Sequence, residues 1–199
     1  MSRLRTLLDR ARPHAGNAPL WAAALGVLPL PIWFVLSALT APTPAWRAEY
    51  RPREASGPGA ATVVFERQLS RFWDRNDRQV PGGADVRAFS ARWLACLSVD
   101  AAREVPFMLV ASGAASFALD GAEVSRLPPN KARRSSGATL RLEPGVHALA
   151  VELDVIGWPS IALQASFDGA PPAPLASGEI VPGVRLSPPR SGATPCPSP

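Results

Sequence analysis

The chain has 199 residues, 47% of them hydrophobic, enough for one domain with a real core plus additional segments. Its 23 prolines and 15 glycines, set among few charged residues, argue against an all-helical globule and suit short strands and turns. The formal charge of +5 rests on scattered arginines, with Lys131 the sole lysine. The clustered basic face with interleaved aromatics that a nucleic-acid binder needs is missing, so no nucleic-acid partner is expected.

In chain order, residues 1–18 form a short segment carrying Arg3, Arg5, Arg10 and Arg12, followed by the uncharged run PLWAAALGVLPLPIWFVLSALTA, Pro19 to Ala41. As a helix this run is long enough to cross a hydrocarbon core of about 30 Å. Pro29 and Pro31 would kink it, which membrane helices tolerate because neighbours satisfy the freed carbonyls. The run exceeds the apolar stretch of a cleaved signal peptide, about 7 to 15 residues, and Pro42 follows it directly. It therefore reads as an uncleaved signal-anchor, and the membrane is one expected partner. Arg47, Arg51 and Arg53 follow the run, so the arginine bias is small but places the N-terminus in the cytoplasm. The rest of the chain then lies in the periplasm or at the cell surface.

Residues 42–45 read as a linker, and candidate strands broken by turn residues follow it. RFWDRNDR, with Asp74 and Asp77 near Trp73, reads as a charged loop rather than a carboxylate pair for glycoside chemistry. Trp93 is assigned to the core. VPFMLVAS is apolar at consecutive positions, the mark of a strand covered on both faces, whereas SFALDGAEV alternates, with Phe117 and Leu119 inward and Asp120-Gly121 turning. Lys131, Arg133 and Arg134 read as a solvated basic loop. In TLRLEPG, Leu140 and Leu142 share one face and Pro144-Gly145 supplies a turn, giving a strand that leads into a hairpin. His147, Leu149, Val151 and Leu153 then share a face, so His147 is expected to be a packed structural histidine. Ile161, Leu163, Ala165 and Phe167 continue the pattern, and Trp158, beside Gly157 and Pro159, is a candidate exposed tip. No long amphipathic helix separates these strands, so the fold class is all-β, an antiparallel β-sandwich. From Ala170 the proline-rich chain is expected to be disordered or extended, with 189–199 a disordered tail. Of the two cysteines, Cys96 is expected to be buried and apolar and Cys196 exposed and free, although a bridge between them is open in an oxidising compartment.

Five pieces in this order carry a resemblance to a known family. WRAEY (Trp46 to Tyr50), FSARWLACLSV (Phe89 to Val99), SFALDGAEV (Ser116 to Val124), LEPGVHALAVEL (Leu142 to Leu153) and IVPGVRLSP (Ile180 to Pro188) resemble successive segments of the protective-antigen-like β-sandwich domain of bacterial toxins, adhesins, glycosidases and yeast flocculins. The resemblance spans residues 46–188, and it is weakest over 51–78 and 126–137. It implies a display domain. Sugar-binding members hold calcium with two consecutive aspartates just before the central hairpin, and those positions here are Ser112 and Gly113. One hydroxyl and backbone carbonyls are too few hard oxygen donors for calcium, so neither a metal nor another cofactor is expected. Asp120 remains near the hairpin, where its ordinary role is to bond backbone and tolerate the turn.

The sequence holds two histidines and neither a Gly-x-Ser-x-Gly nor a His-Glu-x-x-His pattern, so a non-enzymatic module is expected. Two functional classes follow. One is recognition of a glycan or polysaccharide through Ser112, Gly113, Asp120, Trp158 and the basic residues Lys131, Arg133 and Arg134. The other is an accessory subunit that docks onto a membrane enzyme or transporter of the cell envelope.

Overall fold

The computed structural model describes residues 44–54, 57–58, 60–155, 157–190 and 196. The expected segment 1–18, the signal-anchor 19–41, the first half of the linker and most of the tail lie outside the described residues. Among those described, no helix is long and apolar enough to cross a membrane.

The described chain forms strands alone: β1 (Trp46–Glu54), β2 (Gly57–Pro58), β3 (Thr62–Glu66), β4 (Ser70–Phe72), β5 (Phe89–Val99), β6 (Arg103–Ser112), β7 (Ala114–Leu119), β8 (Ala122–Leu127), β9 (Arg134–Leu142), β10 (Gly145–Asp154), β11 (Ser160–Ala165), β12 (Ala173–Pro174), β13 (Gly178–Val181) and β14 (Val184–Ser187). One sheet runs β13-β14-β5-β10-β7-β8, with β1 also paired to β5 and β3 to β1; the other runs β12-β11-β6-β9, with β4 also on β11. Every strand pairing is antiparallel. The all-β reading is correct.

Alternation places the core. Along β5, Phe89, Ala91, Trp93, Ala95, Leu97 and Val99 are buried, while Arg92 and Ser98 face out. β6 and β11 supply the opposing layer through Val105, Phe107, Leu109, Ile161 and Leu163, as in a sandwich whose inner faces interdigitate. β6 departs in part from the expectation of cover on both faces. Pro106 is exposed, and only from Leu109 to Ser112 is the strand buried at every position.

Three of the core aromatic residues, Trp46, Tyr50 and Trp93, donate hydrogen bonds through their side chains. Trp46 Nε1 donates to the Leu175 carbonyl at 3.0 Å. Buried Glu66 accepts from Tyr50 Oη at 2.8 Å, from Arg71 at 3.0 Å and from Trp93 Nε1 at 3.1 Å. A buried carboxylate is tolerable only when it is paired and bonded in this way. Burial, and then the adjacent negative charge of Glu66, push the Tyr50 phenol far above its ordinary pKa, so it stays a donor.

The structure corrects three sequence expectations. Pro144-Gly145 does not close a hairpin: β9 pairs β6 in one sheet and β10 pairs β5 and β7 in the other. Period-two alternation reports only that a strand has one buried face. Two successive strands that face the same core from opposite layers carry the same pattern as a hairpin. Second, the proline-rich stretch after Ala170 is not free, because it contributes β12, β13 and β14 to the two sheets. β12 and β13 are short edge strands, and Pro174 sits in β12, where proline's missing donor is least costly, while β14 lies between β13 and β5. Third, Cys96 and Cys196 form a disulfide. Cys96 lies on the outer side of β5, between inward Ala95 and Leu97, and both cysteines are buried, Cys196 included. The expectation of a free, exposed Cys196 fails, because Cys196 is buried and bonded to Cys96.

Candidate functional site

The strand directions sort the connections to two ends, except 67–69 and 175–177, which pass between the sheets at the side, where Gln68 pairs Ala176. The end at the start of β5 gathers residues 73–88, the Ser112–Gly113 link, residues 128–133 and residues 155–159. The opposite end gathers the turns at 100–102, 120–121, 143–144, 166–172 and 182–183. β1 begins alongside the middle of β5, at Trp46, and runs toward the first end.

Trp158 stands at the first end as an exposed tip, 41% accessible. Its own backbone is fixed. Ser112 Oγ donates to the Trp158 carbonyl at 2.9 Å and lies 3.1 Å from Ser160 Oγ, and the Trp73 amide donates to the Pro159 carbonyl. Gly157, at φ +85°, bends the chain just before the ring. Ser112 is therefore buried, and its hydroxyl is engaged in holding the tryptophan loop.

Gly113 is equally committed. Its φ is +112°, its amide donates to the Asn130 carbonyl at 2.7 Å, and a Cβ there would lie 2.7 Å from the Asp154 carbonyl oxygen. Only glycine fits such a position. The site where the resemblance would place a calcium aspartate has no room for one. Among the described residues no group of three or more His, Cys, Asp or Glu side chains converges as a metal site.

Beside Trp158 opens a cleft of about 380 Å³, lined by Arg75, Asp77, Arg78, Asp85 and Arg87 together with the indole. Residues 73–88 hold its wall through their own small core: Val80, Ala84 and Val86 are buried, and the Val80 and Val86 amides bond the Ala84 and Arg78 carbonyls. Asp85 accepts from the Arg87 amide and guanidinium, which holds its carboxyl below the usual range. Asp77 accepts from the Asp74 amide. Arg75 and Arg78 form no ion pair among the described residues, and neither do Lys131, Arg133 and Arg134. Lys131 packs against the Trp158 loop, its Cγ 3.8 Å from where a Gly157 Cβ would sit.

A larger depression of about 580 Å³ lies over the outer face of β1, β5, β10, β7 and β8. Its charges are already matched, Arg51 with Glu49, Arg92 with Glu152, Arg53 with Asp154 and Arg126 with Glu123. It offers an incoming ligand little that is unspent.

Asp120 is not part of this constellation. β7 carries the chain away from Gly113, and its six residues put Asp120 about 17–20 Å further on, at the opposite end. There Asp120, at φ 51°, and Gly121, at φ 81°, make the two-residue turn between β7 and β8 that needs positive φ at both positions. Its carboxylate accepts from the Ala148 amide at 2.7 Å and contacts His147 Nδ1 at 2.7 Å, while His147 Nε2 bonds the Glu143 carbonyl. Burial opposes protonation of His147, but Asp120 and the Glu143 carbonyl outweigh it and raise the imidazole's pKa. The structure thus brings Ser112, Gly113, Lys131 and Trp158 together, leaves Arg133 and Arg134 at the rim and sends Asp120 away. Sequence reasoning missed Arg75, Arg78 and Arg87, because neither RFWDRNDR nor the stretch around Arg87 carries a signal of which end of the sandwich it joins.

No protein-family model and no curated protein matches the chain. Among solved structures it is similar to an anti-sigma factor domain-containing protein, with TM-score 0.57 and 19% identity over 73% of this chain and 49% of that one. It is similar to the PA14 domain of the MpAFP antifreeze protein, with TM-score 0.56 and 12% identity over 75% of this chain and 94% of that one. It is also similar to the PA14 sugar-binding domain from an RTX adhesin, with TM-score 0.57 and 12% identity over 73% of this chain and 99% of that one. The chain spans about half the length of the first and nearly all of the two PA14 domains. At these identities the likeness concerns the fold, an antiparallel β-sandwich of the PA14-like kind.

Proposed function

We propose that this chain is a diverged member of the protective-antigen-like family that works as a non-enzymatic, extracytoplasmic binding module, recognising carbohydrate without calcium. The observation that carries the reading is Trp158, an exposed indole on a fixed backbone beside an open cleft at one end of the sandwich. A rigid aromatic plate offers a sugar ring a stacking face at little entropic cost. A PA14 domain of the same fold is described as sugar-binding. The Cys96–Cys196 disulfide favours an oxidising compartment and so supports export. Anchoring falls to the apolar run 19–41. Non-catalytic work is supported by His147, whose two ring nitrogens are both engaged by neighbours in the fold.

The test is a glycan array probed with the full chain in detergent, in calcium and in chelator. Binding that is equal in both and lost in Trp158→Ala is the expected result. A folded chain that binds no glycan overturns the reading. An accessory subunit docking onto a membrane enzyme or transporter is the second reading. Phe65 and Phe72, 56% and 74% exposed on either side of the crossover from β3 to β4, are the observation that favours it.

A further inference from the structure

The charges at the two ends of the sandwich are not mixed at random. The turns of the Asp120 end hold Asp100, Asp120, Glu143 and Asp168 and no lysine or arginine. The loops of the Trp158 end hold five cationic residues, Arg75, Arg78, Arg87, Lys131 and Arg133, and Arg134 opens β9 beside them, against Asp74, Asp77 and Asp85. The partners differ as much as the counts. At the acidic end Asp100 and Asp168 bind Arg103, Asp120 binds His147 and Glu143 binds Arg141. At the basic end only Arg87 is paired, and the other five cations find no ion-pair partner among the described residues. Folding leaves them unneutralised around one aromatic plate.

We infer that the Trp158 end takes an anionic polysaccharide, one that carries carboxylate, sulfate or phosphate groups along a sugar chain. This rests on the carbohydrate reading above and adds the ligand's charge to it. A sugar ring stacks on the Trp158 indole. Its acidic substituent enters the cleft and meets the guanidinium groups of Arg75 and Arg78, whose planar forks suit bidentate pairing with oxyanions. Asp85 does not oppose it, since Arg87 already neutralises that carboxylate. Asp77 is the one acid left in the cleft, its carboxylate turned onto the Asp74 amide. Lys131 borders the indole through its contact with the Gly157 loop, and Arg133 and Arg134 extend the positive rim toward the next residues of the polymer. A neutral glycan would use the plate and leave the five cations idle.

The experiment measures binding of the full chain in detergent to polygalacturonate, dextran sulfate, neutral dextran and duplex DNA. The wild type is compared with Arg75→Gln/Arg78→Gln, with Trp158→Ala, and with Arg141→Gln/Arg185→Gln, which removes the same charge from the acidic end. The expected result is binding to one or both acidic polymers that weakens with added salt. It should fall about tenfold or more in the cleft variant and in Trp158→Ala, and it should be unchanged in the control variant. Which acidic polymer binds identifies the anion. Equal retention of neutral dextran overturns the anionic assignment while the carbohydrate reading stands. Loss of all glycan binding by the folded wild type overturns both. Equal weakening in the cleft and control variants shows a diffuse charge effect and overturns the site. DNA bound more tightly than any polysaccharide, with the same sensitivity to the cleft variant, overturns the ligand class.

Discussion

The two ends of this sandwich both carry charged turn residues and do opposite things with them. At the Asp120 end every acidic turn residue finds a partner in the fold: Asp120 takes the Ala148 amide and His147, Asp168 and Asp100 bracket Arg103, and Glu143 holds Arg141. At the Trp158 end Ser112 and the Gly113 amide are spent on fixing loops, Arg87 is paired with Asp85, and the other cations are left over. A turn whose charges are satisfied internally stabilises the fold. A loop held rigid with its charges unsatisfied is suited to bind. The difference lies in which groups the backbone geometry allows to meet, since both ends draw on the same strands.

Several substitutions would sharpen or break this contrast, and the largest effect is expected away from both ends. The disulfide ties Cys196 to the outer side of β5 across a separation of 100 residues. Cys196→Ser, or reduction, should cost about 2–5 kcal/mol, read as a lower melting temperature, with Trp158-dependent binding retained in the folded fraction. Loss of binding without loss of stability would mean that the tail serves the site directly.

Gly113→Asp comes next. It puts back a carboxylate of the calcium-binding pattern, but at φ +112° and within 2.7 Å of the Asp154 carbonyl. A loss of about 2–4 kcal/mol in urea unfolding, with no gain of calcium affinity, is the expected outcome. Gly121→Ala at the other end has a comparable φ of +81° but open space around it, and should cost about 1 kcal/mol. Equal costs would show that close approach at Gly113 contributes nothing.

Ser112→Ala removes the donor to the Trp158 carbonyl and should cost about 1 kcal/mol. Its clearer signature is weaker glycan binding together with a shifted Trp158 fluorescence. Unchanged affinity would show that the indole does not need its latch.

A smaller effect belongs to His147. Its folded pKa is raised above the unfolded value, so the folded state holds the proton more tightly. The stabilisation is full below the unfolded imidazole's pKa of about 6.5 and fades as pH rises through the raised folded value. Melting temperature should therefore be higher at pH 5.5 than at pH 8.5 by an amount that disappears in His147→Gln. Glycan binding at the far end should not depend on that substitution.

The smallest expected effect is none. Melts in millimolar calcium and in chelator should coincide, since an ion bound only by the folded state would raise stability by mass action. A calcium-dependent rise would restore a metal-dependent lectin.

Alternation and turn residues were enough to read the all-β class, the Asp120-Gly121 turn, Trp93 in the core and Trp158 at a tip, because each of these is set by neighbours within a few residues. Layer assignment was not legible. The period-two pattern of LRLEPGVHALAVEL is identical for a hairpin and for a crossing between sheets, and only the pairing of β9 with β6 and of β10 with β5 separates them. The same blindness left the disulfide open, because Cys96 and Cys196 are 100 residues apart and meet only in the tertiary structure. It also hid the candidate site. Arg75 and Arg78 lie far along the chain from Lys131 and from Trp158, and their charges read as scattered until strand direction carries all of them to one end. Sequence by itself determined which residues face inward and where the chain can turn, since those follow from local backbone chemistry and side-chain period. Tertiary structure decided which charges would be neutralised and which left exposed, because Coulombic partners are chosen by distance in space, and that distance is set by how the two sheets are connected.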